Sequence, residues 1–208
     1  MGVLRNSQRA LWVAGVVLLF PAGCIDTQAR YDAFLARSAN MRAADSGVVV
    51  QGDRFDFSGR YLFALETTLA PGSALLFQVD ATVASDLSTF ELVVQPLTTD
   101  MNASPRTLVG DVATYPDIAY AEDGSFELDF GEASVPGAAN PISASDIVSD
   151  VQLTGTAIAA DNQHPALLCG KAGGMVTVPI TVDLAGSTFG AVRTDDIAHA
   201  ELLTHCPQ

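Results

Sequence analysis

Residues 55–68, FDFSGRYLFALETT, decide the fold class because their side chains alternate between two faces with a period of two. One face carries Phe57, Gly59, Tyr61, Phe63 and Leu65. The opposite face carries Ser58, Arg60, Leu62, Ala64 and Glu66. Residues 75–84 repeat the alternation after a turn at Pro71-Gly72. Two successive strands are therefore predicted, each with one face turned toward a core and the other toward solvent.

Shorter segments with the composition of strands follow along the chain. They occupy residues 48–51, 89–97, 108–115, 125–130, 151–160, 175–182 and 187–192. Asp123-Gly124 is a strong hairpin signal, and Gly155 is expected to mark a bulge or a point of close packing. Residues 135–149 are expected to form a long loop or an irregular edge strand, and residues 161–174 a loop that holds His164, Cys169 and Lys171. The fold class predicted is all-β, a single antiparallel β-barrel or β-sandwich of about eight or nine strands.

Two short helices are predicted outside the strands. Residues 29–44, ARYDAFLARSANMRAA, lack Gly and Pro and place apolar side chains near helical spacing. This segment is interpreted as a helix packed on the domain, with a stalk or a helix on the lipid surface as the alternative. Residues 194–205 are interpreted as a second helix with Thr194 as its N-cap. The predicted organisation is a signal peptide over 1–23, a tether with the first helix over 24–46, and a β-domain with the C-terminal helix over 47–208.

The N-terminus has the three parts of an export signal. Arg5 and Arg9 form a basic region, residues 10–20 are apolar without interruption, and small residues stand directly before Cys24. The apolar run is about half of the roughly 20 residues that a membrane-spanning helix needs. A cleaved secretory signal is therefore predicted, and a permanent transmembrane helix is not.

The tetrapeptide Pro21-Ala22-Gly23-Cys24 resembles the lipobox of bacterial lipoproteins, with Pro21 standing where that family favours an aliphatic residue. The resemblance implies that the thiol of Cys24 is acylated with diacylglycerol and that cleavage occurs just before it. It implies an exported protein at the outer membrane or the periplasmic face of the cell envelope. Contact with the membrane would then come through acyl chains on Cys24. The alternative is an ordinary signal peptide cleaved nearby.

The cysteine count fits lipidation. The chain has three cysteines, Cys24, Cys169 and Cys206. An odd cysteine in an exported protein needs an explanation, and lipidation of Cys24 supplies one. In an oxidising compartment the remaining pair, Cys169 and Cys206, is predicted to form a disulfide. A metal site is disfavoured because neither of them belongs to a C-x-x-C pair.

The charge balance excludes one class of partner. The 208 residues contain 10 Lys and Arg against 24 Asp and Glu, which gives a net charge of −14. Nucleic-acid binding is disfavoured because phosphate neutralisation needs clustered basic side chains. Anionic lipid headgroups should also repel this chain. The 49% of hydrophobic residues is nevertheless enough to build a packed core rather than a disordered chain.

No catalytic motif stands out in the sequence. A G-x-S-x-G elbow, a phosphate-binding loop, a dinucleotide fingerprint and an HExxH pair are all absent. The densest polar group is Asp195, Asp196, His199, Glu201 and His205. It is interpreted as acids and histidines at the two ends of a helix dipole, with a divalent metal site as the alternative. A nucleophilic set of Cys169 with His and Asp would need a reduced thiol. No cofactor and no enzymatic activity are predicted.

The strand pattern also resembles that of the lipocalin-like barrels. Gly59-Arg60-Tyr61 stands on the first long strand where that family has G-x-W, and Arg193 ends the last strand. The resemblance implies an eight-stranded barrel with an apolar cup for a small hydrophobic ligand, in which Gly59 and Arg193 are closure residues. A β-sandwich would explain the same strands.

The function predicted is a non-enzymatic binding or interaction role for a lipid-anchored cell-envelope protein. A protein partner and a small apolar ligand are both compatible with that role. The first alternative is a lipocalin-like carrier of a small apolar ligand. A hydrolase ranks third, because no nucleophile and base are arranged together in the sequence.

Overall fold

The computed structural model describes residues 54–98, 106–161 and 164–207, all within the compact unit Ala44–Gln208. The predicted signal peptide, the lipidation site Cys24, the tether, the helix over 29–44 and the strand over 48–51 lie outside the described residues. The described residues cover most of the β-domain predicted over 47–208.

The described residues form an all-β structure of nine strands. The strands are β1 Gly59–Glu66, β2 Leu75–Val83, β3 Thr89–Pro96, β4 Ala113–Ala119, β5 Ser125–Val135, β6 Ile147–Ile158, β7 Leu167–Val178, β8 Val182–Asp183 and β9 Ser187–Arg193. A short 3-10 turn over Gly137–Ala139 lies between β5 and β6. The alternating stretch 55–68 thus contains β1, as its period of two predicts.

One continuous antiparallel sheet contains all of these strands. Its order is β4-β3-β2-β1-β9-β7-β6-β5, and β8 pairs only with β7. The two edge strands, β4 and β5, are joined by the turn at Asp123-Gly124 and by a single bridge between Tyr120 and Phe126. The sheet is therefore nearly closed into a barrel, and of the two architectures left open by the sequence it is barrel-like.

The core fills the inside of this sheet, as the alternation predicts. Tyr61, Phe63 and Leu65 of β1 are buried there together with side chains from every long strand. At one end five aromatic rings pack edge to face or tilted against one another: Phe57, Phe90, Tyr120, Phe126 and Phe189. Edge-to-face contacts add to the stabilisation that burial alone supplies. This aromatic cluster fills the interior of one half of the barrel.

Gly155 is a point of close packing within the core. A Cβ atom at this position would lie 2.6 Å from Cζ of Phe189 and 2.7 Å from Cζ of Phe126. The ladder between β6 and β7 runs through Gly155 without a register shift. The close-packing alternative predicted from the sequence is confirmed, and the bulge is not formed.

The predicted C-terminal helix over 194–205 is wrong. The segment makes one turn, in which the backbone N–H of Ala200 donates to the carbonyl of Asp196, and is otherwise irregular. Ile197, Ala200 and Leu202 instead pack against Leu62, Ala64, Leu76 and Leu97 on the outer face of the sheet. These contacts with β1 and β2 outweigh the intrinsic preference for a helix, which is a weak one. Leu62 and Ala64 on the outer face of β1 are therefore buried, whereas Arg60 on the same face is exposed.

The loop predicted over residues 161–174 is also wrong in its second half. Cys169 and Lys171 lie within β7, which pairs with β6 on one side and with β9 on the other. Small and glycine residues in this stretch suggested a loop. In the sheet they permit close contact, because Gly170 lies against the backbone of Gly155. Strand pairing on both sides holds a segment whose own composition does not favour a strand.

Candidate functional site

The half of the barrel opposite the aromatic cluster encloses a cavity of about 390 Å³. This volume lies within the range of about 300–1,000 Å³ that is usual for small-molecule sites. Inward-facing apolar side chains form most of its wall: Phe63, Leu65, Leu75, Phe77, Val79, Leu92, Val94, Val135, Ile147, Val151, Leu153, Val176 and Leu184. We refer to this space as the cavity.

Aromatic rings form the boundary between the cavity and the filled half of the barrel. The ring of Phe63 stacks on that of Phe189 at 5.2 Å between centroids, and it meets Phe77 edge to face at 5.8 Å. Phe63 and Phe77 both line the cavity, whereas Phe189 belongs to the aromatic cluster beneath. The cavity therefore has a rigid apolar floor.

Two rings face each other across the seam between the edge strands. Tyr115 of β4 lies edge-on to Phe130 of β5, with centroids 4.6 Å apart. Both line the cavity, and no backbone ladder joins β4 to β5 at this level among the described residues. Burial raises the pKa of the Tyr115 phenol above its ordinary value of 10.0. Side chains rather than backbone pairing thus complete the wall.

The mouth of the cavity carries its polar groups. Asp111, Glu132 and Asp146 line the cavity and are exposed to solvent. The backbone N–H of Gly137 donates to Oδ1 of Asp146 at 2.8 Å. Thr67, which follows β1, lines the cavity as well and is buried. The combination is an apolar interior with a hydrophilic, acidic opening.

Gly59, Tyr61 and Arg193 lie together away from the cavity. Tyr61 and Arg193 are direct partners in the ladder between β1 and β9, and the guanidinium of Arg193 lies against Gly59. The hydroxyl of Tyr61 donates to the carbonyl of Phe57 at 2.6 Å. Burial raises the pKa of Tyr61, with Arg193 opposing that shift. None of the three lines the cavity, so their contacts hold strands together rather than reach a ligand.

The disulfide predicted between Cys169 and Cys206 is confirmed. It joins β7 to the C-terminal segment, with 5.1 Å between the two Cα atoms. Cys169 is fully buried. Since its sulfur is used in this bond, Cys169 does not supply a nucleophile in this structure. A Cys169–His–Asp nucleophilic set, which would need a reduced thiol, is therefore not formed.

The acidic group near the C-terminus does not converge on one point. Asp196 and His199 form a local pair, with 2.9 Å between Oδ2 and Nδ1. The hydrogen bond from His199 lowers the pKa of Asp196. No three His, Cys, Asp or Glu residues of the described chain are grouped so that they could hold a metal ion. The interpretation through a helix dipole is wrong, because no helix forms there.

Sequence reasoning missed the residues that shape the cavity. Tyr115 and Phe130 were placed on strands, but nothing local indicated that the two strands would meet. Likewise Asp111 and Glu132 are isolated acids in the sequence, some 20 positions apart. The only available signal was the excess of apolar alternating positions on β1, β2 and β3.

No helix within the described ranges is long and apolar enough to cross a membrane. Comparison with protein families, curated proteins and solved structures finds no match for this chain.

Proposed function

We propose that this chain is a lipid-anchored protein of the bacterial cell envelope that binds a small apolar molecule inside its barrel. The cavity carries this proposal. It is of ligand size, its wall is made mostly of apolar side chains, and it has a polar opening to solvent. Such a combination is the usual form of a binding site for an apolar molecule. Of the roles considered from the sequence, it favours the carrier.

Binding without chemistry is the simplest role for this cavity. The described lining residues include carboxylates and hydroxyls but no Cys, His or Lys that would act as a nucleophile or base. A catalytic site usually places such a group within hydrogen-bond reach of its partner. A hydrolase that uses a Cys, His or Lys side chain therefore has no support from the cavity.

Native mass spectrometry of the intact protein, released gently from the host envelope, tests the binding role. We expect a mass above that of the processed polypeptide, and we expect organic extraction to remove the excess without unfolding the barrel. The carrier role would be refuted if the protein had only the mass of the processed polypeptide, both when released from the native envelope and after incubation with a lipid extract of the host.

Attachment to the membrane needs its own test, since it rests on the resemblance of residues 21–24 to a lipobox. Cells that express the chain are fed an alkyne analogue of palmitate. We expect label on the native chain and on a Cys206→Ala variant, and none on Cys24→Ala. Label retained by Cys24→Ala would contradict acylation at this residue.

A second candidate role, docking of a protein partner, is favoured by apolar side chains at the mouth. Leu69 and Ile142 line the cavity and are 57% and 43% exposed. If a partner covers them, Leu69→Asp with Ile142→Asp should abolish its capture by crosslinking in intact cells. The same change should leave a ligand held deeper in the cavity in place.

A further inference from the structure

Among the described residues, every ionisable group that lines the cavity, other than the phenol of Tyr115, is a carboxylate. Asp111 precedes β4, Glu132 lies on β5, and Asp146 precedes β6. Together they place acids just before β4, on β5 and just before β6. No Lys, Arg or His of the described residues contributes to the lining. A ligand in the cavity would therefore meet negative charge at the opening and, within the part of the chain that the structure describes, no positive charge.

Three arginines of the described chain are engaged outside the cavity, and neither Arg54 nor Lys171 lines it. Arg60 pairs with Asp80 at 2.9 Å on the outer face of the sheet. Arg106 donates to the carbonyls of Ile197 and Ala200 in the C-terminal segment. Arg193 lies against Gly59. The short stretches 99–105 and 162–163, which interrupt the described ranges, contain no Lys, Arg or His.

An independent feature at the mouth indicates a polar group in the bound molecule. Thr67 is 5% exposed and lines the cavity, yet its Oγ1 has no hydrogen-bond partner within the described part of the chain. A buried hydroxyl without a partner costs stability, and natural structures usually satisfy such groups. A ligand that brings a hydrogen-bond donor or acceptor to this point would supply the missing partner, because a hydroxyl can both accept and donate.

We infer that the cavity takes an amphiphile with an apolar body and a positively charged amine head group, and this inference rests on the binding role proposed above. The apolar body fills the cavity, and the ammonium group lies at the mouth. At the mouth the carboxylates of Asp111 and Glu132 face the ammonium group. The hydroxyl of Thr67 accepts a hydrogen bond from one N–H of this group. A fatty-acid carboxylate in the same place would be partly desolvated beside like charges with no cation to pair with it, which is unfavourable.

Three probes with the same ten-carbon chain test the inference: decylammonium, decanoate and decanol. The intact chain is reconstituted in phosphatidylcholine nanodiscs and titrated by calorimetry at neutral pH, with empty nanodiscs as the blank. We expect decylammonium to bind about tenfold more tightly than decanoate, a preference that two weak carboxylate contacts can supply together. Decanol is expected to lie between them.

Charge variants identify the groups responsible. Asp111→Asn with Glu132→Gln should reduce the preference for decylammonium to less than about threefold. The matched control, Glu122→Gln with Glu127→Gln, removes the same charge from exposed positions outside the cavity and should leave the preference unchanged. Glu132→Lys should increase the affinity for decanoate. Near-ultraviolet circular dichroism of each variant checks that the barrel remains folded.

The outcomes separate this inference from the function on which it rests. If decanoate binds as tightly as decylammonium, or if the mouth variant keeps the full preference, the cationic ligand class is refuted while the carrier role stands. If none of the three probes binds above the blank, the carrier role itself is refuted, and the inference falls with it.

Discussion

The guanidinium of Arg193, at the end of β9, lies against the backbone of Gly59, at the start of β1. A Cβ atom at residue 59 would stand 2.7 Å from Nε of Arg193, which is closer than Cβ atoms approach non-bonded atoms, so the Arg193 side chain would have to move. Gly59 also has a φ of +149°, which residues with a side chain rarely adopt. The junction between the first and last strands of the barrel therefore depends on the absence of a side chain at residue 59.

Replacement of Gly59 by Ala should destabilise the fold by roughly 2–3 kcal/mol, from the strained φ together with displacement of Arg193. Gly72→Ala is the matched control, because Gly72 has a φ of +81° but no atom within 4 Å of the position that a Cβ methyl would take. It should cost only about 1 kcal/mol. Urea unfolding followed by circular dichroism measures both. Equal losses would show that contact with Arg193 contributes nothing.

Loss of the disulfide should lower the free energy of unfolding by roughly 3–4 kcal/mol, because the bond closes a long loop in the unfolded chain. Cys169 and Cys206 are 37 residues apart in the sequence. Cys206→Ala and the native protein in a strong reductant should lose similar amounts, measured by urea unfolding. Cys24→Ala should leave the midpoint unchanged in detergent-solubilised protein. A fully stable Cys206→Ala variant would contradict a structural role for the bond.

The carboxylate of Glu66 should make the fold sensitive to acid. A hydrogen bond from the side chain of Thr204, and then one from the backbone N–H of Gly72, lower the pKa of Glu66 below its ordinary value of 4.5. Its stabilising contribution is therefore fully present above 4.5 and is lost as the pH falls through the lower value in the folded state.

Glu66→Gln should consequently reduce the loss of free energy of unfolding as the pH falls, because the glutamine side chain does not take up a proton in this range. The measurement is the urea midpoint at a series of pH values from neutral to below 4.5. Glu127→Gln, at an exposed position on β5, serves as the control and should keep the native slope. A profile of Glu66→Gln that coincides with that of the native protein would refute this coupling.

An aromatic side chain placed in the mouth should block the cavity. Ala113 on β4 lines it, whereas Ala119 on the same strand is exposed and does not. We expect Ala113→Trp to weaken binding of decanol by at least about tenfold, because the ring occupies the volume that the ligand needs. Ala119→Trp should bind as the native protein does. Calorimetry measures the affinity of both variants for decanol. Native affinity in Ala113→Trp would show that the ligand binds outside the cavity.

Much of the sheet was predictable because strand alternation is a local property. The two faces of β1 and the inward positions of β2 follow from the sequence within ten or so residues. The disulfide was predictable too, since the expected lipidation of Cys24 would leave only one pair. In contrast, the C-terminal segment has the composition of a helix and forms none, because its apolar side chains pack on Leu62 and Leu76. A local sequence pattern does not predict packing between residues that are far apart in the chain.

By itself, the sequence determined which side chains of the strands turn inward, which cysteines remain to pair, and that the net charge is strongly negative. Only the tertiary structure decided where the strands meet. Tyr115 and Phe130 form the seam of the cavity, although the sequence around neither residue indicates that it contacts the other. Asp111 and Glu132 likewise come to one opening only because the sheet brings distant parts of the chain together. Alternation specifies the face of each strand, whereas closure of the sheet depends on contacts between distant residues, and the site exists only where the sheet closes.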